Sequence, residues 1–288
     1  MFNITMKPGL MKYPIFCYLL ALIIVISCNN ENHPGVKIKQ PGELQGTFTT
    51  SRAERFTKSY GAIIRGDTTA KKLALVFTGD EFGDGGIYIA NILKKQKINA
   101  SFFLTGNFYR EKEFKQILKE LQENGNYMGS HSDKHLLYCD WTKRDSLLVT
   151  RNQFINDMLN SYRELEKWNT DFKKAFYFLP PYEWYNDSIA IWTSQLGLQL
   201  VNFTPGTRSN ADYTYSEMGD KYVDSNTILR SIMNYEQESA TGMNGFILLV
   251  HIGTDPRRTD KFYFHLPELI KDLKNRGYQF VRIDELLN

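Results

Sequence analysis

Cysteine is scarce in this chain of 288 residues, with three in all: Cys17, Cys28 and Cys139. The first two lie in the N-terminal segment, so the folded part keeps one thiol and no intrachain disulfide. A charge excess is missing too. Lys and Arg number 35 against 32 Asp and Glu, a net +3, too balanced to recognise nucleic acid through a basic surface. Long apolar runs are absent. The longest, Tyr13 to Ile26, has 14 residues broken by Pro14, where a comfortable membrane span needs roughly 20. With a mean hydropathy of −0.40, a polytopic membrane protein is excluded. There is no internal repeat and no low-complexity tract. What the chain has in abundance is aromatic residues, 14% of the total, most of them expected in a core.

The N-terminal segment reads as an address. Residues 1–27 carry Lys7 and Lys12 and no acid, then the short apolar run. The run ends in Val25-Ile26-Ser27-Cys28, which resembles a bacterial lipoprotein signal. That resemblance implies cleavage after residue 27, a lipid on Cys28, and anchoring to the outer membrane or cell envelope. Residues 28–45 are polar, with two prolines and two glycines, and read as a tether that cannot bury a core. Residues 46–288 form one domain, since no later break in composition appears.

Within that domain, strands alternate with helices. Leu73-Ala74-Leu75-Val76-Phe77 is a continuous apolar run, the mark of a strand buried on both faces. Further strands are expected at residues 100–104, 127–130, 175–179, 198–203, 245–250 and 279–283. Helices are expected at 87–97, 114–124, 154–168, 188–195, 227–237 and 266–275. About seven βα units predict an α/β fold, a TIM-like barrel of parallel strands, with an open doubly wound sheet as the alternative. In such barrels, chemistry gathers at the C-terminal ends of the strands. Asp80, Glu81 and Asp84 follow one strand, His131 and His135 a second, Pro180-Pro181-Tyr182 a third, and His251 ends a fourth.

His131-Ser132-Asp133-Lys134-His135 spaces two imidazoles at i and i+4. On one helical turn they face the same way and share a metal ion. A carboxylate as third ligand would leave an open position on Zn²⁺, and Asp80, Glu81 and Asp84 are the candidates. His251, on the same rim, suits a general acid. The rigid Pro180-Pro181 turn aims the Tyr182 backbone N–H at an oxyanion. Tyr182, Trp184 and Tyr185 are candidates to stack on sugar faces.

Together these residues resemble the polysaccharide deacetylases, the NodB-homology domain or carbohydrate esterase family 4, over about residues 60–288. Val76-Phe77-Thr78-Gly79-Asp80-Glu81 with Asp84-Gly85 is similar to the family's Thr-Phe-Asp-Asp-Gly motif, and Ala100-Ser101-Phe102-Phe103 to its Ala-Thr-Phe-Phe. His131-Ser132 to His135 matches the family's metal motif and is the most specific match. Leu179-Pro180-Pro181-Tyr182 resembles Arg-x-Pro-Tyr, Leu249-Val250-His251 matches Leu-x-His, and Asp212-Tyr213 is faintly similar to an Asp-Trp motif. The resemblance implies a distorted (β/α)7 barrel, a divalent metal that is usually zinc, and removal of acetyl groups from a carbohydrate polymer or oligosaccharide.

The first motif departs from the family's, because Thr78 and Gly79 stand where a base and a ligand would be. By the family's interval from Ala100, Asp80 becomes the ligand and Glu81 or Asp84 the base, with the reverse assignment of Asp80 and Glu81 open. The implied site has Asp80, His131 and His135 on the metal and Glu81 and His251 in catalysis. Tyr182, Asp84, Trp184 and Asp212 stand around the substrate or the acid. Leu179 replaces the motif arginine, for which Arg208 and Arg257 are candidate substitutes. Two rival readings stay open: a catalytically inactive sugar-binding lipoprotein on the same fold, and a two-metal phosphoesterase.

Overall fold

The computed structural model describes residues 55–288. The expected signal, Cys28 and the tether lie outside the described residues. Two antiparallel strands, β1 (Thr57–Ser59) and β2 (Ala62–Arg65), open the domain. Tyr60 and Gly61 turn between them at φ 44° and 79°, the left-handed pair that a tight hairpin requires. Sequence periodicity does not reach this hairpin, because each strand is four residues or fewer.

Then come β3 (Lys72–Gly79), α1 (Gly86–Gln96), β4 (Ser101–Leu104), α2 (Gly106–Arg110), α3 (Lys115–Glu123), β5 (Tyr127–Ser130) and α4 (Arg151–Glu166). The second half has β6 (Tyr177–Phe178), α5 (Asp187–Gln195), β7 (Gln199–Leu200), α6 (Ser225–Glu238), β8 (Phe246–His251), α7 (Leu266–Asn275), β9 (Gln279–Phe280) and α8 (Ile283–Leu286). The expected strands at 175–179 and 198–203 shrink to two-residue ladders. The one expected at 279–283 ends at Phe280, and Ile283 begins a helix instead.

These strands form one sheet in the order β1-β2-β8-β3-β4-β5-β6-β7, with β9 also on β3. Strands β3 to β9 pair in parallel. Strand β2 bridges β8 through Arg65–Phe246 and the residue after β7 through Ile63–Val201, so the sheet curls until its two ends share one strand. The result is an α/β, TIM-like barrel, distorted where short strands close it.

Strand β3 shows why the apolar run is continuous. Leu73, Leu75 and Phe77 pack in the layer beneath the helices, while Ala74 and Val76 join Phe103, Tyr127, Leu179, Ile247 and Leu249 in the barrel interior. Amphipathic helices cover the outside; α3 buries Ile117, Leu118 and Leu121, and α7 buries Leu266, Leu269, Ile270 and Leu273.

Register then sets the site. Gly79 pairs with Leu104, Leu104 with Ser130, and Ser130 with Phe178, so these four strand ends stand at one level. Thr78 pairs with His251 on the other side of β3. The next residues along, Asp80, Thr105, His131 and Leu179, therefore form the first layer above the barrel.

Candidate active site

A cavity of about 750 Å³ opens above that layer. Its walls include Thr78, Gly79, Asp80 and Glu81 after β3, His131 and His135 after β5, Tyr182 and Glu183 after β6, and His251 at the end of β8. Four strand ends far apart in sequence thus meet in one place.

The two imidazoles lie with their Nε2 atoms 3.3 Å apart. They are not on a helical turn, as the spacing predicts. The segment is a loop, with Ser132 and His135 left-handed at φ 74° and 53°. Hydrogen bonds fold it. Ser132 N–H donates to Ser130 Oγ (3.1 Å) and His135 N–H to Ser132 Oγ (3.0 Å). Its buried Asp133 accepts from Arg110 at 2.5 Å. Such serine and aspartate contacts compete with helix formation.

His131 is buried, and its Nδ1–H donates to the Leu179 carbonyl at 2.8 Å. That bond leaves the Nε2 lone pair facing the cavity. Burial holds the ring well below its ordinary pKa, and neighbouring His135 adds to the effect. His135 is lowered as well, by burial first, with Asp80 opposing. Two neutral imidazoles turned to one point are the donor chemistry a zinc-like ion takes. A tetrahedron with ~2.0–2.1 Å bonds separates its donors by about 3.3–3.4 Å, the spacing seen here. Among the described residues, no three His, Cys, Asp or Glu side chains already stand around one point as a complete ligand set.

Asp80 accepts from Thr105 Oγ1 (2.7 Å) and Asn107 Nδ2 (3.2 Å) on Oδ1. Its Oδ2 lies 3.9 Å from His135 Nδ1. Glu81 is exposed on the cavity rim. Asp84 is the first correction. Its Oδ1 accepts the Thr254 N–H, its Oδ2 accepts Tyr263 Oη–H and pairs with Lys261, and it does not line the cavity. It staples the β3–α1 loop to the segment after β8.

His251 is gripped by Asp212, which is buried. Oδ1 takes the Nδ1–H at 2.6 Å, and Oδ2 takes the backbone N–H at 2.8 Å. Burial pushes the imidazole pKa down, but the charge and hydrogen bond of Asp212, with help from Glu183, raise it above its ordinary value. With Nδ1 engaged by Asp212, Nε2 is the nitrogen left toward the cavity that His251 lines.

Tyr182 lies in the cavity wall, its ring 4.3 Å from that of His135. Trp184 is the second correction. Its Nε1–H donates to the Asp140 carbonyl, and the Arg144 guanidinium stacks 4.0 Å over its ring, so it packs away from the cavity. Trp141 takes its place. It lines the cavity, is half exposed, and rests 5.6 Å from both Tyr182 and Trp184. Of the two arginines, Arg257 lines the cavity but is paired with Asp255 and stacked on Tyr215, and Arg208 is not in the cavity wall. Leu179 itself contributes its carbonyl, while its side chain fills the barrel interior.

Glu183 is the functional candidate the sequence reading missed. Its carboxylate is largely buried, 12% exposed, and 3.9 Å from His131 Nε2. Burial pushes its pKa up to about 7, against the pull of His251. Tyr182 and Glu183 are consecutive left-handed residues at φ 58° and 53°, each costing about 1–2 kcal/mol relative to a right-handed backbone. An acid directly after Pro-Pro-Tyr at a strand end was the available signal.

Residues 65–201 match the family model for polysaccharide deacetylase. The chain is 26% identical over 232 residues to the peptidoglycan-N-acetylmuramic acid deacetylase PdaA of Bacillus subtilis, covering 80% of this chain and 76% of the relative. It is 27% identical to a peptidoglycan-N-acetylglucosamine deacetylase of Bacillus cereus, covering 69% of this chain and 80% of the relative. The fold is shared with PdaA (TM-score 0.58, 23% identity, 82% of this chain and 87% of that one). It is also shared with BA3943, a CE4 family pseudoenzyme of Bacillus anthracis (TM-score 0.62, 21% identity, 80% and 70%). With the motif order, the barrel and the rim constellation all in agreement, residues 65–201 of this chain carry a polysaccharide deacetylase domain.

Proposed function

We propose that this protein is a metal-dependent deacetylase that removes acetyl groups from an N-acetylated amino-sugar polymer of the bacterial envelope. The observation that carries this reading is the joint placement of the 3.3 Å imidazole pair and the Asp212-held His251 in one cavity. The names of the two peptidoglycan deacetylases support the substrate class.

His131, His135 and one carboxylate, Asp80 in the assignment from sequence, would hold the ion. When bound, a divalent metal such as zinc supplies Lewis acidity toward an acetyl carbonyl. The rest falls to the protein. Glu81 accepts the proton of the attacking water. The Tyr182 backbone N–H donates to the oxygen that becomes negative. His251, kept cationic by Asp212, gives its Nε2 proton to the departing amine. Trp141 and Tyr182 offer aromatic faces to the sugar at the mouth of the cavity. The Val25–Cys28 boundary supports envelope anchoring through a lipid on Cys28; among the described residues no helix is long and apolar enough to cross a membrane.

The test is acetate release from N-acetylated peptidoglycan and chitin-type oligosaccharides by the zinc-loaded protein, with and without a chelator. Chelator-sensitive release supports the reading. Full zinc occupancy with sugar binding and no release establishes instead the inactive, sugar-binding alternative. The altered first motif and Leu179 favour that alternative.

A further inference from the structure

We propose that Glu183, from the end of β6, is the carboxylate ligand of the metal, and that Asp80 stands behind His135 as its orienting partner. This rests on the metal-dependent reading above and names the ligand which that reading leaves to Asp80.

The two histidines divide their nitrogens in the same way. Each turns Nε2 toward the other, 3.3 Å apart. Each turns Nδ1 away: that of His131 to the Leu179 carbonyl at 2.8 Å, that of His135 toward Asp80 Oδ2 at 3.9 Å. A carbonyl or carboxylate on the far nitrogen of a metal-bound imidazole is the usual outer partner, fixing the tautomer and the ring. Asp80 has the rest of its capacity engaged, since Oδ1 accepts from Thr105 and Asn107. It is built into a hydrogen-bonded support on the Nδ1 side.

Glu183 approaches from the Nε2 side. Its Oε1 is 3.9 Å from His131 Nε2, against 3.3 Å between the two nitrogens, a difference within the reach of a glutamate's rotatable arm. No other described residue donates a hydrogen bond to its carboxylate, although the group is largely buried. Asn202 Nδ2–H fixes its backbone carbonyl at 2.8 Å. Its φ of 53° suits glycine better than glutamate, yet an acid is held there and aimed into the cavity. Thr78 adds an independent sign. Its hydroxyl is buried in the same cavity wall and has no hydrogen-bond partner among the described residues, where a buried polar group ordinarily has one. Thr78 and Gly79 end β3 without a carboxylate, and Glu183 supplies one from across the barrel mouth.

The experiment is zinc titration calorimetry on the full-length, metal-stripped protein, with the visible spectrum of the cobalt-loaded form as a second readout. Glu183→Gln should lose ~10²–10⁴-fold in zinc affinity and change the cobalt absorption. Glu183→Gly should lose as much, while its melting temperature holds or rises, because glycine relaxes the left-handed backbone. Asp80→Asn should lose only ~10–100-fold and keep the cobalt spectrum. The assignment is overturned if both Glu183 variants bind zinc within about threefold of the parent, or if Asp80→Asn loses more than Glu183→Gln. Those outcomes leave the metal-dependent reading standing. A parent protein that binds neither ion overturns both.

Discussion

Asp212 holds His251 at two points, the imidazole through Oδ1 at 2.6 Å and the backbone through Oδ2 at 2.8 Å. The carboxylate comes from a 3-10 turn at Ser209–Tyr213 and the imidazole from the end of β8, so tertiary folding alone joins them. The consequence is a raised imidazole pKa despite burial. As a general acid, His251 should support turnover until pH rises through that raised value. Asp212→Asn should move the alkaline limb of the rate profile to lower pH. Linkage has the same sign. The stability this pair contributes is fully present below the unfolded histidine value of ~6.5 and is lost as pH rises through the folded one. Imidazole NMR titration of parent and variant checks both; an unmoved His251 titration would count against the pairing.

His131→Ala or His135→Ala should remove bound metal and activity together, with ~10²–10⁴-fold weaker zinc binding. Stability should change less than in a zinc-folded domain, because the barrel is held by its own buried core. Metal analysis beside a urea melt measures the two effects separately. Undiminished zinc occupancy in both variants would remove the histidines from the ligand set.

Glu81→Gln should keep the metal and slow turnover by ~10²–10⁴-fold, the usual cost of a missing general base. Its exposure on the rim makes a folding defect an unsuitable explanation for such a loss. Rate and zinc content measured on the same preparation decide the point, and an unaltered kcat would return the base role to another carboxylate.

Trp141 and Trp184 should behave differently. Trp141→Ala should raise KM by ~2–12-fold, from ~0.5–1.5 kcal/mol of lost aromatic contact, with kcat largely kept. Trp184→Ala should act on stability, since it carries the Arg144 stack and the Asp140 hydrogen bond. Steady-state kinetics on chitin-type oligosaccharides and thermal melts of both variants give the comparison; equal KM changes would place both rings at the substrate.

Cys28→Ala should leave the protein unlipidated. Fatty-acid labelling and membrane fractionation read this directly, and labelling that survives the substitution would sink the lipoprotein assignment.

Much of the architecture was legible locally. A buried parallel strand such as Leu73–Phe77 announces itself, because both of its faces are covered and every position is apolar. The helices of ten or more residues followed from their periodic apolar faces. The hairpin strands β1 and β2 did not, because no period can be read over three or four residues; β6, β7 and β9 fall where strands were expected, but their length of two residues each is set by their pairing partners. The same division runs through the site. Residue type and spacing marked His131, His135 and His251, since strand ends in such barrels carry the chemistry. Tertiary structure decided what spacing cannot encode. A loop, not a helical turn, joins the histidines, because Ser132 and His135 adopt left-handed backbone under local hydrogen bonds. Asp84 and Trp184 face away because Lys261, Tyr263 and Arg144 reach them first. Glu183 faces inward because two successive left-handed residues turn it there, a choice of backbone well that only the closed barrel around it enforces.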